Sequence, residues 1–426
     1  MPVLRALVNT MKFVRSLPWR PGRYLRNTGV VLTWLLVRAV AQAALVVALS
    51  RLLGAAGYGR FVAVIAVASL FTALAGLGLS GVVLRDGARA PQSLDTLMLD
   101  ALRTWGWTSV TFGLAAIGTS WLLLPHDLPW AGVCLIVFTE VGSASVTELF
   151  ARGQQAAHRM SRYGAITAGL PLSRLAVLVP YAILAHPTLQ GWFLLYAAAS
   201  ATYCALVGAW LWPREAHKAR RRTLSLDGLP FAINALSMRL QAEFNKPVLA
   251  RIGFDHTGTF SAAQRTIDVA SLPLAALQEA LWPRLYSQND PSRGLRTLGA
   301  LQMCVALSIA CALWMLGPLL PRVLGSDFDT ATDALRMLAA LPVLQAFRGL
   351  VNFHVIHRHR TAAIAWAASI GAVVNVCVVS WSIPRWGATG AALSCYVTEL
   401  AMLIVLVAGS RVLPARMVYV ATGGDQ

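Results

Sequence analysis

Twelve apolar stretches of about 20 residues divide this chain, and about 20 residues is what an α-helix needs to cross the hydrocarbon core of a bilayer. They fall near residues 28–50, 60–84, 103–124, 128–151, 163–185, 189–212, 229–251, 259–282, 297–320, 331–356, 362–383 and 388–411. A water-facing globule has nowhere to hide them. Only 13% of the residues are charged, against about a quarter in a soluble domain, and the mean hydropathy is +0.61. Backbone groups in lipid must be satisfied within their own segment, so each stretch reads as a helix. The expected fold is an all-α polytopic membrane protein with about 12 transmembrane helices.

The net charge of +18 would point to nucleic acid in a soluble protein. No basic run here carries aromatics at a stacking spacing, so no nucleic-acid partner is expected. Position explains the charge instead. With the N-terminal tail inside and the spans alternating, the inside segments hold most of the basic residues. Beyond the tail these include Arg85 and Arg89, Arg152, Arg159 and Arg162, the run Arg214 to Arg222, Arg284, Arg293 and Arg296, Arg358 and Arg360, and Arg411 and Arg416. The outside loops hold only Arg51, Arg60, Arg251, Arg322 and Arg385. This asymmetry obeys the positive-inside rule and puts both termini in the cytoplasm.

A glycine-rich punctuation occurs twice, as "SRLLGAAGYGRF" from Ser50 and as "ARIGFDHTGTFSAAQ" from Ala250. Each follows the first span of a six-span half. The longest connection, "WPREAHKARRRTLSLDG", separates the halves. The expected division is a basic tail over 1–27, an N-lobe over 28–212, a linker over 213–228, a C-lobe over 229–412 and a tail over 413–426. Six spans is an even number, so both lobes enter from the same side. The repeat is therefore parallel, about an axis along the membrane normal. Gly57, Gly59, Gly258, Pro384 and Gly387 are expected to turn the chain between helices.

Three stretches carry a family resemblance: "LSRLLGAAGYGRFVAVIAVASLFTALAGLGLSGVVLR", "ARIGFDHTGTFSAAQRTIDVASLPLAALQEALWPRLY", and the run from "LGSDFDTATDALRMLAAL" to "VVNVCVVSWSIPRWGATGAALSCYVTEL". They resemble the polysaccharide-transporter branch of the multidrug/oligosaccharidyl-lipid/polysaccharide exporter superfamily, nearly along the full chain. The motifs are loose: apolar spacing with Gly, Pro and Phe marks. The resemblance implies two six-helix bundles set as a V and an oligosaccharide on polyprenyl pyrophosphate as substrate. It also implies the bacterial inner membrane, with a polysaccharide polymerase and glycosyltransferases of the same pathway as partners beside membrane lipids. No cofactor and no enzymatic activity are expected.

Ionisable residues inside spans are costly and should face a cavity or a partner. The cations are Arg38, Arg174, Arg239, Lys246, Arg265 and Arg348. The acids are Glu140, Glu148, Glu243, Asp268, Glu279 and Glu399. Arg239, Glu243 and Lys246 share one helical face, and Arg265 and Asp268 stand at i, i+3, so ion-pair networks compete with a binding role. Arg38 has no acid on its own helix and reads as a cavity-lining anion site. Arg suits phosphate oxygens because it is planar and permanently charged. Gln42, Asn234, Gln241, Asn245 and Gln264 are candidate sugar contacts. Glu140, Glu148, Glu243 and Asp268 are candidates for proton or sodium coupling.

Other motifs carry less. "GLGLSG" from Gly76 fits a dinucleotide fingerprint but lacks the preceding strand, so helix packing by small residues is expected. "DFDTATD" from Asp327 reads as a helix cap and first turn rather than a metal site. "HVIHRHR" from His354 reads as a basic collar at the membrane surface, and no metal is expected. The six cysteines form no Cys-x-x-Cys and read as small buried hydrophobes. There is no nucleotide-binding P-loop. The functional expectation is a lipid-linked oligosaccharide flippase for O-antigen, exopolysaccharide or capsule assembly. A cation-coupled drug exporter of the same fold is the nearest rival. A membrane glycosyltransferase or polymerase follows, although no sizeable outside loop is present to carry its catalytic residues.

Overall fold

The computed structural model describes residues 23–184, 187–213, 226–278, 292–357, 360 and 362–412. Among them there is no β-strand. The first half holds α1 (Arg23–Thr72), α2 (Leu79–Arg89), α3 (Leu94–Leu123), α4 (Trp130–Ala156), α5 (Met160–Leu184) and α6 (Leu189–Leu211). The second holds α7 (Leu229–Glu243), α8 (Asn245–Ala250), α9 (Phe254–Ala270), α10 (Ser292–Leu316), α11 (Leu320–Leu324), α12 (Ala331–Leu338), α13 (Leu341–His357) and α14 (Ala362–Val412). A further helical stretch covers 272–278. The 413–426 tail, most of the 1–27 tail and most of the 213–228 linker lie outside the described residues, as does Glu279.

Seven of the described helices are long and apolar enough to cross a membrane, fewer than the twelve stretches. Length explains much of the difference. α1 has 50 residues and α14 has 51, or about 75 Å each at about 1.5 Å per residue. That is more than twice a hydrocarbon core of about 30 Å, so neither can be one span. α1 breaks at Gly54, with φ 67° and ψ 178°. Before the break, Trp34 packs on Gly164 near the start of α5. After it, Arg60 pairs with Asp127 in the α3–α4 loop, and Phe61 meets Trp192 near the start of α6. Gly78 then lies against Gly228 just before α7. The chain has crossed from the tail end to the hinge end and returned. α14 does the same around Gly387, with φ 53° and ψ −127°. Arg360, just before α14, donates to the carbonyl of Ser410 near its far end, which only a folded-back helix permits. Three stretches have no counterpart among the seven: 103–124 lies in the unbroken α3, and 259–282 is interrupted at Ser271 after α9. The third, 229–251, divides into α7 and α8; the 331–356 stretch, made of α12 and α13, does count among the seven.

The glycine expectations need correcting. Gly57, Gly59 and Gly258 sit inside helices and do not turn the chain; the turn in the first half is made by Gly54. Gly59 and Gly258 are needed for close approach instead. A Cβ on Gly59 would lie 1.7 Å from the Phe254 carbonyl oxygen, and one on Gly258 would lie 2.1 Å from that of Ala55. The two contacts exchange halves. The returning arm of α1 and helix α9 both run from hinge end to tail end, so they pack glycine to glycine about a local two-fold along the membrane normal. Pro384 lies within α14, three positions before the turn at Gly387. The 60–84 stretch is also interrupted: Gly76, Leu77 and Gly78 take positive φ of 79°, 49° and 71°.

Packing differs between the two ends. At the hinge end one apolar core runs through both halves, joining Leu49, Tyr58, Phe61 and Trp192 to Phe260, Leu324 and Phe328. Toward the tail end the cores separate. Val83, Met98, Phe150 and Ile166 belong to the first half, and Val355, Ala367, Met402 and Leu406 to the second. The halves stay joined there along one seam, where Gly78 meets Gly228 and Gly81 meets Phe231. The chain is closed at the hinge end and divided at the tail end.

Candidate functional site

Arg38 stands midway along the first arm of α1, and its side chain is exposed although flanked by apolar residues. It makes no ion pair to a described residue. It lies within electrostatic reach of Arg239 and Arg265 from the second half, and of Glu148 and Tyr163 from the first. Arg239, in α7, is likewise exposed and unpaired among the described residues. The expected trio on one helical face is therefore incomplete: Glu243 and Lys246 pair, and Arg239 is left out. Glu243 turns instead to Lys246 and, at 3.5 Å, to Arg265 of α9. Arg265 also meets Asp268 at 3.7 Å.

These side chains form a graded cluster. The Lys246 and Glu243 side chains are 2% and 7% exposed, whereas those of Arg265 and Asp268 are 43% and 58% exposed. The buried pair anchors; the outer groups face open space. Four cations (Arg38, Arg239, Lys246 and Arg265) meet two carboxylates (Glu243 and Asp268), so the cluster is a positive surface. Glu148 is nearby but is engaged by Arg152 at 3.3 Å. Charges this exposed at mid-span cannot face lipid. They face the space between the halves, on the side where the apolar cores are separate. An anion with several oxygens is the complementary ligand.

The other expected charges are placed elsewhere. Arg174 does not join the cavity cations as expected; the structure locks it inside the first half. Its Nη2 donates to Glu140 Oε2 at 2.6 Å and its Nε to Ser200 Oγ at 2.9 Å. The Tyr196 hydroxyl donates to the same carboxylate oxygen at 2.5 Å, and the guanidinium lies 4.0 Å from the Tyr196 ring centre. Glu140 Oε2 is thereby held by two donors. In the second half Arg348 grips Glu399 at 2.6 and 3.3 Å. Neither arginine joins the Arg38 cluster, because its partner on a neighbouring helix holds it.

Gln42 and Asn234 are exposed. Gln241 donates to the Ala368 carbonyl at 2.8 Å and Gln264 to that of Ala242 at 3.2 Å, so both serve helix packing. Asn245 is fully buried. The sequence reading missed Tyr58, which is buried beside Arg265 and Glu243, as well as Tyr196 and Ser200, which complete the Arg174 network. Their spacing along the chain carries no signal; only helix packing brings them in.

The minor motifs are reassigned in part. The helix following "DFDTATD" has no side-chain cap at Thr330, though Asp333 does lie in its first turn. Among the described residues no three His, Cys, Asp or Glu gather as metal ligands. Cys304, Cys311 and Cys377 are exposed on helix surfaces rather than buried, and no cysteine is paired.

A family described as "polysaccharide biosynthesis protein" matches residues 24–288. No curated protein matches the chain. Among solved structures, an inward-facing conformation of a multidrug resistance MATE family transporter of the MOP superfamily is similar. It is 14% identical with a TM-score of 0.67, covering 88% of this chain and 96% of that one. The MATE multidrug transporter DinF-BH is 15% identical, with a TM-score of 0.62 over 92% and 95%. An outward-facing conformation of a MATE transporter is 16% identical, with a TM-score of 0.56 over 91% and 94%. At these identities the likeness establishes the fold alone: a multi-pass, two-half helical architecture.

Proposed function

The chain belongs to the polysaccharide biosynthesis protein family, and from that membership we propose that it is a flippase for an oligosaccharide carried on polyprenyl pyrophosphate. It would work in the bacterial inner membrane, cytoplasmic to outer leaflet, in O-antigen, exopolysaccharide or capsule assembly. The observation that carries this reading is the cationic cluster of Arg38, Arg239 and Arg265, contributed by both halves and only partly neutralised by Glu243 and Asp268. Arginine forks suit pyrophosphate oxygens. Exposed Gln42 and Asn234 offer hydrogen bonds to sugar hydroxyls, while the polyprenyl tail stays in lipid. A cationic drug would meet repulsion at the same place, which disfavours the drug-exporter reading.

The cycle is alternating access. With the tail end cytoplasmic, this form of the protein admits the headgroup between the separated cores. Rocking of the halves about the Gly59–Gly258 contact then opens the hinge end. An inside-negative membrane potential favours outward movement of an anion by about 2.3 kcal/mol per charge per 100 mV. Glu148 and Asp268, whose ion pairs are the more exposed, are the candidates for ion coupling; Glu140 and Glu243 are buried in theirs.

The test is a leaflet assay. The gene is deleted, lipid-linked oligosaccharide is labelled from outside spheroplasts, and the strain is complemented with wild type or Arg38→Ala. The expected result is accumulation in the inner leaflet, rescued by wild type and not by an equally abundant Arg38→Ala. An unchanged leaflet distribution on deletion, with no second flippase expressed, would overturn the proposal.

A further inference from the structure

Five arginines lie in loops or helix ends on the hinge side, the arginine-poor side by the positive-inside pattern. Two of them make the same unusual contact in opposite directions. Arg51, at the end of the first arm of α1, crosses to the second half. Its Nε donates to the Val323 carbonyl at 2.7 Å and its Nη2 to the Arg322 carbonyl at 3.1 Å. Arg251, just after α8, crosses to the first half. Its Nε donates to the Leu123 carbonyl at 2.9 Å and its Nη2 to the carbonyl of Leu122.

The acceptors correspond as the donors do. Leu122 and Leu123 end α3, the third apolar stretch of the first half; Arg322 and Val323 lie in α11, just beyond the third stretch of the second. The last carbonyls of a helix have no intrahelical donor and sit at the negative end of the helix dipole. A forked guanidinium satisfies two successive carbonyls at once, which a lysine ammonium does not do with the same geometry. Each arginine is exposed, so its bonds break into water, not into an apolar core. These features belong to a catch rather than to a core.

We propose that Arg51 and Arg251 form a paired latch that holds the hinge end shut, and that the transport cycle opens that end by releasing both. The latch is reciprocal: each half supplies one arginine and one pair of helix-terminal carbonyls. It flanks the glycine contact of α1 and α9, about which the halves rock. Because the two catches are alike, losing one weakens closure and losing both abolishes its bias. Arg60 adds a third tie across the halves, its guanidinium lying 5.2 Å from the Phe254 ring centre. Arg385 does not cross; it bonds Trp381 of its own helix and serves as the control. The latch acts on the conformational equilibrium and does not depend on the identity of the substrate.

The test is pulsed electron paramagnetic resonance on the full chain in lipid nanodiscs, with native cysteines replaced by serine. One spin-label pair, at Gln190→Cys and Asp329→Cys, spans the hinge end. A second, at Gln92→Cys and Ala362→Cys, spans the tail end. Arg51→Ala with Arg251→Ala should lengthen the hinge-end distances and shorten the tail-end ones, raising the open-to-closed ratio about tenfold or more. Each single variant should give a smaller shift and Arg385→Ala none. Should the double variant fail to fold, Arg51→Lys with Arg251→Lys keeps the charge, loses the fork and should shift the ratio in the same direction. Unchanged distances in whichever double variant folds, or an equal shift in Arg385→Ala, would overturn the latch. Substrate dependence is read separately in the leaflet assay, so failure of the flippase reading and failure of the latch are distinguishable.

Discussion

Two of the charged regions within the membrane-spanning part of this chain are built oppositely. Around Glu140 and Arg174, every charge is answered: carboxylate, guanidinium, phenol and hydroxyl close on one another within the first half. Around Arg38, Arg239 and Arg265 the charges are contributed from both halves, stay exposed and leave cations in excess. The first arrangement fixes α4, α5 and α6 against each other. The second carries like-charge repulsion, which the anion proposed above would relieve. Pairing and excess, rather than the mere presence of intramembrane charge, distinguish the structural network from the proposed binding site.

Breaking the paired region should have the largest effect on folding. Arg174→Ala leaves Glu140 as an uncompensated buried charge and should cost about 3–5 kcal/mol, measured as lost thermal stability of the purified protein and reduced yield. Arg38→Ala should do the reverse. It should leave the melting temperature nearly unchanged and weaken binding of polyprenyl pyrophosphate by about 1.5–3 kcal/mol, the worth of hydrogen bonds to a charged group. Titration calorimetry in detergent would detect it. If Arg38→Ala destabilised the protein as much as Arg174→Ala, the contrast between the regions would collapse.

Gly59→Ala tests the axis between them. Its Cβ would strike the Phe254 carbonyl, and overpacking of this kind costs about 1–3 kcal/mol. Thermal stability should fall and the spin-label distances across the hinge end should lengthen. The smallest effect belongs to Arg103→Ala. Its 3.6 Å pair with Asp100 is made by an arginine side chain that is 65% exposed, and surface pairs contribute about 0–1 kcal/mol, so stability and leaflet distribution should stay at wild-type levels.

Much of the fold was legible because the bilayer imposes a length. Stretches of about 20 apolar residues announce spans whatever surrounds them. The repeat was also visible, since Gly-x-Phe recurs after the first span of each half. What the glycines do was not visible. Gly59 and Gly258 read as turns, yet they are contact points, because the partner that requires a missing Cβ lies in the other half. Charge pairing divided in the same way. Arg265 with Asp268 is a local i, i+3 relation and can be read from spacing. Arg174 with Glu140 joins α5 to α4, and Arg348 with Glu399 joins α13 to α14, so no spacing along one helix reveals them.

By itself the sequence determined that this chain must live in a membrane, that it must be helical there, that it repeats, and that some of its charges must escape lipid. Those follow from local composition and from the cost of exposing polar groups to hydrocarbon. Only the tertiary structure decided which charges are quenched and which are left in excess, which glycines bend the chain and which let two helices touch, and which arginines tie one half to the other. Each of those depends on what stands across a helix–helix contact, and that distance is set by packing, not by position in the chain.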